Sequence, residues 1–263
     1  MYRNKKEREI EMPKLFCISD IHSFYDQMID ALTKAGFDKD NEDHWLIVCG
    51  DCFDRGPQSI ETLNYLQSLP RKVLVKGNHE WLITECINRK YPLAHDWHNG
   101  TVRTIIDMAP EARALEEAYE ITQEKIKDFI DGMVNYFETK HYVMVHGFIP
   151  KKRSWRKATQ REWHSAMWLN SMDEIRSRSI KKTIVAGHFH ASWGRKHYEG
   201  LPEWGDKADF SPYYYQNKLI AIDGCTAYTG KCNVLVLEDE FLDEIRKEEA
   251  KNVDKPEKES REK

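Results

Sequence analysis

Residues 45–56 read WLIVCGDCFDRG, five apolar residues followed by a glycine and then by two aspartates and an arginine. A short apolar run that stops in glycine and carboxylates suits a buried strand delivering polar groups to a loop at its carboxyl end. The same pattern lies on both sides of it. Upstream, residues 14–19 (KLFCIS) run into Asp20-Ile21-His22; downstream, residues 73–75 lead to Gly77-Asn78-His79-Glu80. Helical spacing follows each loop. Phe24, Met28, Leu32 and Ala35 share one face and stop near Gly36; Ile60, Leu63 and Leu66 share another behind Pro57, placed at a first helical position; residues 81–89 make the third. Strand, polar loop and helix three times over predict an α/β fold.

Farther along, strands are expected at 142–145, 183–186, 219–222 and 234–237, the last two joined by a turn-rich stretch that suits an antiparallel pair. Residues 99–139 are acidic and helix-prone, a helical cap inserted into one domain that spans residues 14–238. Residues 191–217 form an aromatic loop with Trp193, Trp204 and three consecutive tyrosines, placed either for recognition or for packing over the sheet. Residues 1–13 read as a charged leader and 239–263 as a charged tail, disordered or a frayed helix.

Composition narrows the class. The 263 residues carry 40 Lys and Arg against 44 Asp and Glu, a formal charge of -4, so no overall field draws the chain to nucleic acid or anionic lipid. A stable nucleic-acid partner is not expected. No apolar run approaches the ~18–20 residues of a membrane span, and no apolar stretch follows the charged N-terminus as in a signal peptide. The 6 cysteines lack the dense spacing of a disulfide scaffold, and the two residues between Cys49 and Cys52 belong to the stronger Gly50–Gly56 signal. These features point to a cytoplasmic protein with reduced thiols.

Each expected strand end carries potential metal ligands: Asp20 and His22, Asp51 and Asp54, Asn78 and His79, His146, and His188 with His190. One such residue is ordinarily a cap, but five clusters in succession point to a two-metal centre. Carboxylate, amide and imidazole donors without thiolates suit manganese first, with iron, zinc, cobalt or nickel as alternatives. One aspartate has two oxygens, enough to bridge ions roughly 3.5–4 Å apart with a hydroxide between them. Two divalent ions less two aspartates and the hydroxide leave a site of about +1, attractive to an anionic ester. The Gly50 and Gly77 loops each open a helix, whose free N–H groups favour oxyanions.

Asp20-Ile-His22, Gly50-Asp51-Cys-Phe-Asp54-Arg55-Gly56, Gly77-Asn78-His79-Glu80, His146-Gly147 and Gly187-His188-Phe-His190 resemble the five ordered motifs of the calcineurin-like metallophosphoesterases. The Asp54-Arg55-Gly56 ending and Glu80 resemble the phosphoprotein phosphatase branch, which includes the bacteriophage lambda phosphatase and symmetric diadenosine tetraphosphate hydrolases. Ile222-Asp223-Gly224-Cys225 through Gly230-Lys231 is similar to the closing strand pair of those enzymes. The resemblance implies a four-layer αββα sandwich of two mixed sheets. It also implies that Asp20 and His22 hold the first metal, that Asp51 bridges, and that Asn78, His146 and His188 hold the second. By the same resemblance His79 protonates the leaving group, Asp54 orients its ring and Arg55 clamps the phosphoryl oxygens.

Two features depart from that pattern. His190 is common in the wider superfamily as a further ligand but unusual in this branch, so it is either a ligand or a supporting histidine. Where the branch often places a phosphate-gripping arginine after a tryptophan, this chain has Trp168-Leu169-Asn170, and Arg153 or Arg156 is the candidate substitute. These two belong to a basic loop, residues 151–157 (KKRSWRK), in which Trp155 suits a nucleotide base or polyphosphate, unless the loop is simply solvated. His95 and His98 fall in the helical cap and read as structural or substrate-side. The expected function is a dinuclear phosphoesterase, first a serine/threonine-type protein phosphatase acting on phosphomonoesters, alternatively a phosphodiesterase or dinucleoside polyphosphate hydrolase acting on nucleotides or RNA ends. In every case the partner is a phosphorylated substrate. A non-catalytic phospho-ligand binding module is the rival from another class, opposed by the presence of His79 and every expected ligand.

Overall fold

The computed structural model describes residues 13–239. The expected leader and tail lie outside the described residues except for Pro13 and Asp239. Strands β1 (Lys14–Ile18), β2 (His44–Cys49), β3 (Lys72–Val75) and β9 (Leu235–Glu238) make one sheet in the order β3-β2-β1-β9. Strands β4 (Phe137–Glu138), β5 (Tyr142–Val145), β6 (Thr183–Ala186), β7 (Tyr213–Tyr215) and β8 (Leu219–Ala221) make the other, ordered β4-β5-β6-β8-β7. Both are mixed: β1, β2 and β3 run parallel, as do β5, β6 and β8, with antiparallel strands at the margins.

Side-chain alternation explains why these strands stack. Leu15, Cys17, Ile47 and Cys49 meet Met144, Val185, Ile220 and Ile222 in one apolar layer between the sheets. Their neighbours in the chain face outward. Phe16, Ile18, Leu46 and Val48 pack under helices α1 (Tyr25–Lys34), α2 (Ser59–Ser68) and α3 (Asn78–Arg89), and under the inserted helices. Val143, Val145, Ile184 and Ala186 pack against Trp155, Trp163 and Met172 on the opposite flank. Helix, sheet, sheet, helix: the four-layer sandwich is present.

The range 99–139, expected as a helical insertion, holds α5 (Thr101–Met108), α6 (Leu115–Asp131) and β4, with α4 (Ala94–Asn99) ending at its first residue. Ile105, Tyr119 and Phe129 join the same buried cluster as Phe16 and Ile83, so these helices form part of the first sheet's outer layer. Helices α7 (Gln160–Ala166), α8 (Ser171–Glu174), α9 (Ala191–Glu199) and α10 (Thr226–Thr229), with short 3-10 helices at Trp155–Lys157 and Ile175–Ser177, complete the described elements. The aromatic loop expected at 191–217 therefore begins as α9 and ends with β7. Pro57 lies just outside α2, whose N-cap is Gln58.

The expected pairing of the last two strands is corrected. β8 pairs with β7 (Tyr214 opposite Ile220), whereas β9 pairs with β1 (Val236 opposite Phe16) in the other sheet. The stretch between them does not turn as a hairpin. It holds α10, and the Asn233 side chain donates to the Phe210 (2.7 Å) and Ile222 (3.2 Å) carbonyls while the chain crosses between sheets. Alternating apolar residues suit either pairing, so the pattern alone does not choose. Among the described residues no helix is long and apolar enough to cross a membrane.

Candidate metal and catalytic centre

The loops leaving β1, β2, β3, β5 and β6 converge, and the backbone there is strained. Of the 10 non-glycine residues with positive φ among the described residues, eight lie in these loops or in the adjoining turn after β8: Asp20, His22, Ser23, Asp51, Asp54, Arg55, His188 and Cys225. Each such conformation costs about 1–3 kcal/mol and persists only where the surroundings enforce it. Gly50 shows how tight the convergence is. Its φ is +84°, and a Cβ there would come within 2.6 Å of the His146 ring and 2.7 Å of Gly77. Only glycine fits that close approach.

Glu80 ties two loops together. It is fully buried and sits in the first turn of α3, where its Oε2 accepts the Gly77 amide (2.8 Å) at the helix start. The same carboxylate accepts the Asp51 (2.9 Å) and Cys52 (2.7 Å) amides of the neighbouring loop. Three backbone donors on one buried carboxylate lock the positions of Asp51 and Asn78 relative to each other.

Asp51 is the shared residue. His22, Asp51 and His79 form one grouping of ligand atoms, and Asp51, His146 and His188 form a second, each within 4.8 Å. Asp51 Oδ1 lies 3.3 Å from His146 Nε2, while Oδ2 lies 3.8 Å from His22 Nε2 and 3.9 Å from His79 Nε2. Burial alone would raise its pKa, but His146 and His79 outweigh it and hold the carboxyl well below its usual range. Asn78 joins the second grouping through Oδ1, 2.8 Å from His146 Nε2. Asp20 is buried and accepts the His188 amide at 3.0 Å, close enough to Asp51 and His146 to interact electrostatically but outside both groupings.

The donor chemistry answers whether these residues fit cations. His146 Nδ1 donates to the Cys49 carbonyl (2.8 Å), which turns Nε2 toward two acceptor oxygens, those of Asn78 and Asp51. Lone pairs so arranged demand a cation or a proton. Accordingly, although burial opposes it, Asp51 and Asp20 raise the His146 pKa to about 10. In the first grouping the cation is Arg55, whose Nη1 lies 2.7 Å from His22 Nε2 and Nη2 3.2 Å from His79 Nε2. His22 Nδ1 donates to the Phe53 carbonyl (2.9 Å), again turning Nε2 inward. His188, desolvated and beside His146, is pushed down to about 3 and presents a neutral, ligand-ready ring. His22 with Asp51 in the first grouping, and Asp51, Asn78, His146 and His188 in the second, fit divalent ions held by nitrogen and oxygen donors, while His79 is engaged by Asp54.

His79 and Asp54 make a buried dyad, with Nδ1 donating to Asp54 Oδ2 at 2.7 Å. Burial works against a charged His79, but Asp51 and the Asp54 bond outweigh it and raise the pKa. Asp54 is itself positioned by the insertion. Thr101 Oγ1 donates to Asp54 Oδ2 (2.7 Å), and the Asp54 amide donates to Thr104 Oγ1 (3.1 Å). Neither threonine was singled out in the sequence; they lie 47 and 50 residues beyond Asp54, and only packing of α5 brings them back. Asp223 was also given no role. It follows β8, is buried, and is pushed well above its usual pKa by burial and by Asp20.

The remaining expected site residues lie elsewhere. His190 turns from the groupings: its Nδ1 is 2.9 Å from Ser192 Oγ, its Nε2 is 3.6 Å from Glu203, and its ring centroid is 4.5 Å from that of Trp204. Arg156 pairs with Glu138 (Nε to Oε2 2.7 Å) near the amino end of β5, whereas His146 follows its carboxyl end. Arg153 is exposed on the same loop. Trp155 is buried against Tyr136 and Trp163 with Arg156 over its ring, so it offers no face to a base. Asn170 caps α8 by accepting the Met172 amide (3.0 Å).

A four-layer sandwich that gathers imidazoles, carboxylates and an arginine at strand ends, around one shared aspartate, is the architecture of a metallophosphoesterase. Residues 13–222 match the calcineurin-like phosphoesterase family, and the chain belongs to it. It is similar to the symmetrical bis(5'-nucleosyl)-tetraphosphatases of two Pseudomonas fluorescens strains. One is 30% identical over 54% of this chain and 44% of the relative, the other 28% identical over 68% and 55%. The matched region thus spans about half the length of these relatives. A solved cold-active protein-tyrosine phosphatase of a psychrophilic Shewanella shares the fold, with a TM-score of 0.51 at 17% identity over 87% of this chain and 76% of that one.

Proposed function

We propose that this chain is a phosphoesterase that hydrolyses nucleotides with a phosphate chain, dinucleoside polyphosphates foremost. The observation that carries the nucleotide reading is the rim of the centre. Directly after His188, the His190 ring meets Trp204 and Phe210, and Trp204 meets Tyr228 at 5.1 Å. Trp204 is 49% exposed and Tyr228 56% exposed, although both are large aromatics. Trp168, 41% exposed, stands edge-on to the His188 ring at 6.0 Å. Open aromatic faces beside a phosphate-handling centre suit nucleobases, which stack with about 1–3 kcal/mol each. The tetraphosphatase relatives support the same substrate class.

Asp51 with His22, and Asp51 with Asn78, His146 and His188, would hold two divalent ions, manganese foremost, and Asp20 would support the His188 loop or complete the first set. Such ions supply a lowered water pKa and neutralise phosphoryl charge. The chain's own residues do the rest. Arg55 presents a planar fork between His22 and His79 that matches phosphoryl oxygens. His79 Nε2 gives its proton to the leaving oxygen, while Asp54 holds Nδ1–H and favours the charged ring. A protein phosphatase activity is the second reading, favoured by the Asp54-Arg55-Gly56 and Glu80 resemblance.

Side-by-side turnover of diadenosine tetraphosphate, a phosphoserine peptide and p-nitrophenyl phosphate in manganese separates these readings. Preference for the dinucleotide by at least an order of magnitude in kcat/KM, lost in His79→Ala, is the expected result. Preference for the phosphopeptide overturns the nucleotide reading.

A further inference from the structure

The basic loop singled out in the sequence does not reach the catalytic centre, yet it encloses space. A cavity of about 460 Å³ lies between this loop and the segment before β6. Lys151, Lys152, Arg153 and Arg156 line it from one side, and Arg178, Lys181 and Lys182 from the other; among the described residues no carboxylate lines it. Three glutamates outside the lining take up part of this charge. Glu138 pairs with Arg156 and Lys182 (2.8 Å), Glu162 with Lys152 (2.7 Å) and Glu174 with Lys151 (2.5 Å). Arg178 donates to the Pro150 carbonyl (3.0 Å). Arg153 and Lys181 have no carboxylate partner among the described residues and are exposed. Among the described residues, seven cations against three carboxylates leave an excess of four charges around one concavity. Same-sign charges focused in a cleft raise the local concentration of counter-ions.

The position separates this cavity from the catalytic centre. Lys182 immediately precedes β6 and donates to the Thr139 carbonyl, and Arg156 holds Glu138, which pairs with Val143 of β5. Both mark the amino ends of β5 and β6, whereas His146 and His188 follow the carboxyl ends. The occupant is also constrained by what the cavity withholds. Trp155 is the aromatic residue in its lining, and Arg156 covers that ring at 4.2 Å while Tyr136 and Trp163 press on it at 5.0 and 6.0 Å. Charge is offered, and a stacking face is not. We infer that this cavity binds a short phosphate chain, recognised through its charge and geometry and not through a base. Arginine forks favour phosphate oxygens in bidentate geometry, and the excess of positive charge matches a triphosphate.

Calorimetric titration of tripolyphosphate into the full chain, stripped of metal by chelation and desalting, tests this. Saturable binding is expected, at least tenfold weaker in the Arg153→Glu/Lys181→Glu double variant and still present in Arg55→Ala, which removes only a component bound at the catalytic centre; circular dichroism confirms that the exposed double variant stays folded. ATP should bind within a few-fold of tripolyphosphate, showing recognition of the chain whether or not a nucleoside is attached, and AMP should not compete. Binding lost in Arg55→Ala but kept in the double variant assigns the anion to the catalytic centre and overturns the inference. So does a tenfold preference for ATP, equal affinity for an oligoglutamate of matching charge, or no saturation below millimolar concentration.

Discussion

The loops leaving the two sheets do different work. Those after β1, β2 and β3 bring Asp20, His22, Asp51, Asp54, Asn78 and His79, all buried; most of the strained backbone of the centre lies here, with Glu80 pinning two of the loops. Those after β5, β6 and β8 bring His146 and His188 and then run on into exposed aromatic and basic segments: Trp168, Trp204 and Tyr228 on the rim, Arg153 and Lys181 around the cavity. The first sheet supplies rigid, desolvated chemistry, where short loops feeding directly into helices leave little freedom. The second supplies two further candidate ligands and the exposed aromatic rim proposed for recognition, where longer connections can reach outward. Substitutions in the first set should therefore act on kcat or on stability, and those on the rim of the second on KM.

The largest effect is expected at Asp51, which touches both ligand groupings. Asp51→Asn should abolish measurable turnover and lower bound metal, read by elemental analysis; retention of two metals and near-normal rate would break the shared-residue assignment. His79→Ala should cost roughly 10²–10⁴-fold in kcat with metal content unchanged. Trp204→Ala should raise KM for a nucleotide substrate by about 5- to 150-fold, the equivalent of ~1–3 kcal/mol, while p-nitrophenyl phosphate turnover stays level. Equal loss on both substrates would remove the recognition role from that rim. Glu80→Gln places an amide where three backbone donors need acceptors, so it should destabilise by about 1–3 kcal/mol, measured by denaturant unfolding. The smallest effect belongs to Thr101→Val. Losing its bond to Asp54 should lower kcat by about 5-fold, the worth of ~1 kcal/mol, with KM unchanged.

Much of the candidate centre was legible in the chain because most of the residues that meet there closely follow an apolar run. Asp20, Asp51, Asn78, His146 and His188 stand within three residues of the strands that deliver them, and a parallel sheet brings such ends together. Sequence adjacency served less well after His146. Arg153 and Arg156 are only seven and ten residues on, yet the chain turns back along the outer face and gives them to a different cavity. Strands β4 and β7, two and three residues long, carry too little pattern to detect. The role of Glu80 was half visible: its position in the first turn of a helix marks a cap, but its hold on the Asp51 and Cys52 amides crosses between loops.

By itself the sequence determined the α/β class and the order and donor chemistry of the strand-end residues, since apolar periodicity and residue type are local properties of the chain. Only the tertiary structure decided that β8 and β9 part into separate sheets, that α5 supplies the threonines behind Asp54, and that His190 faces Trp204 instead of the ligand groupings. Those outcomes depend on which surfaces bury each other and which donors find acceptors across dozens of residues. Such choices are made by packing the whole chain at once and leave no periodic mark in any one segment.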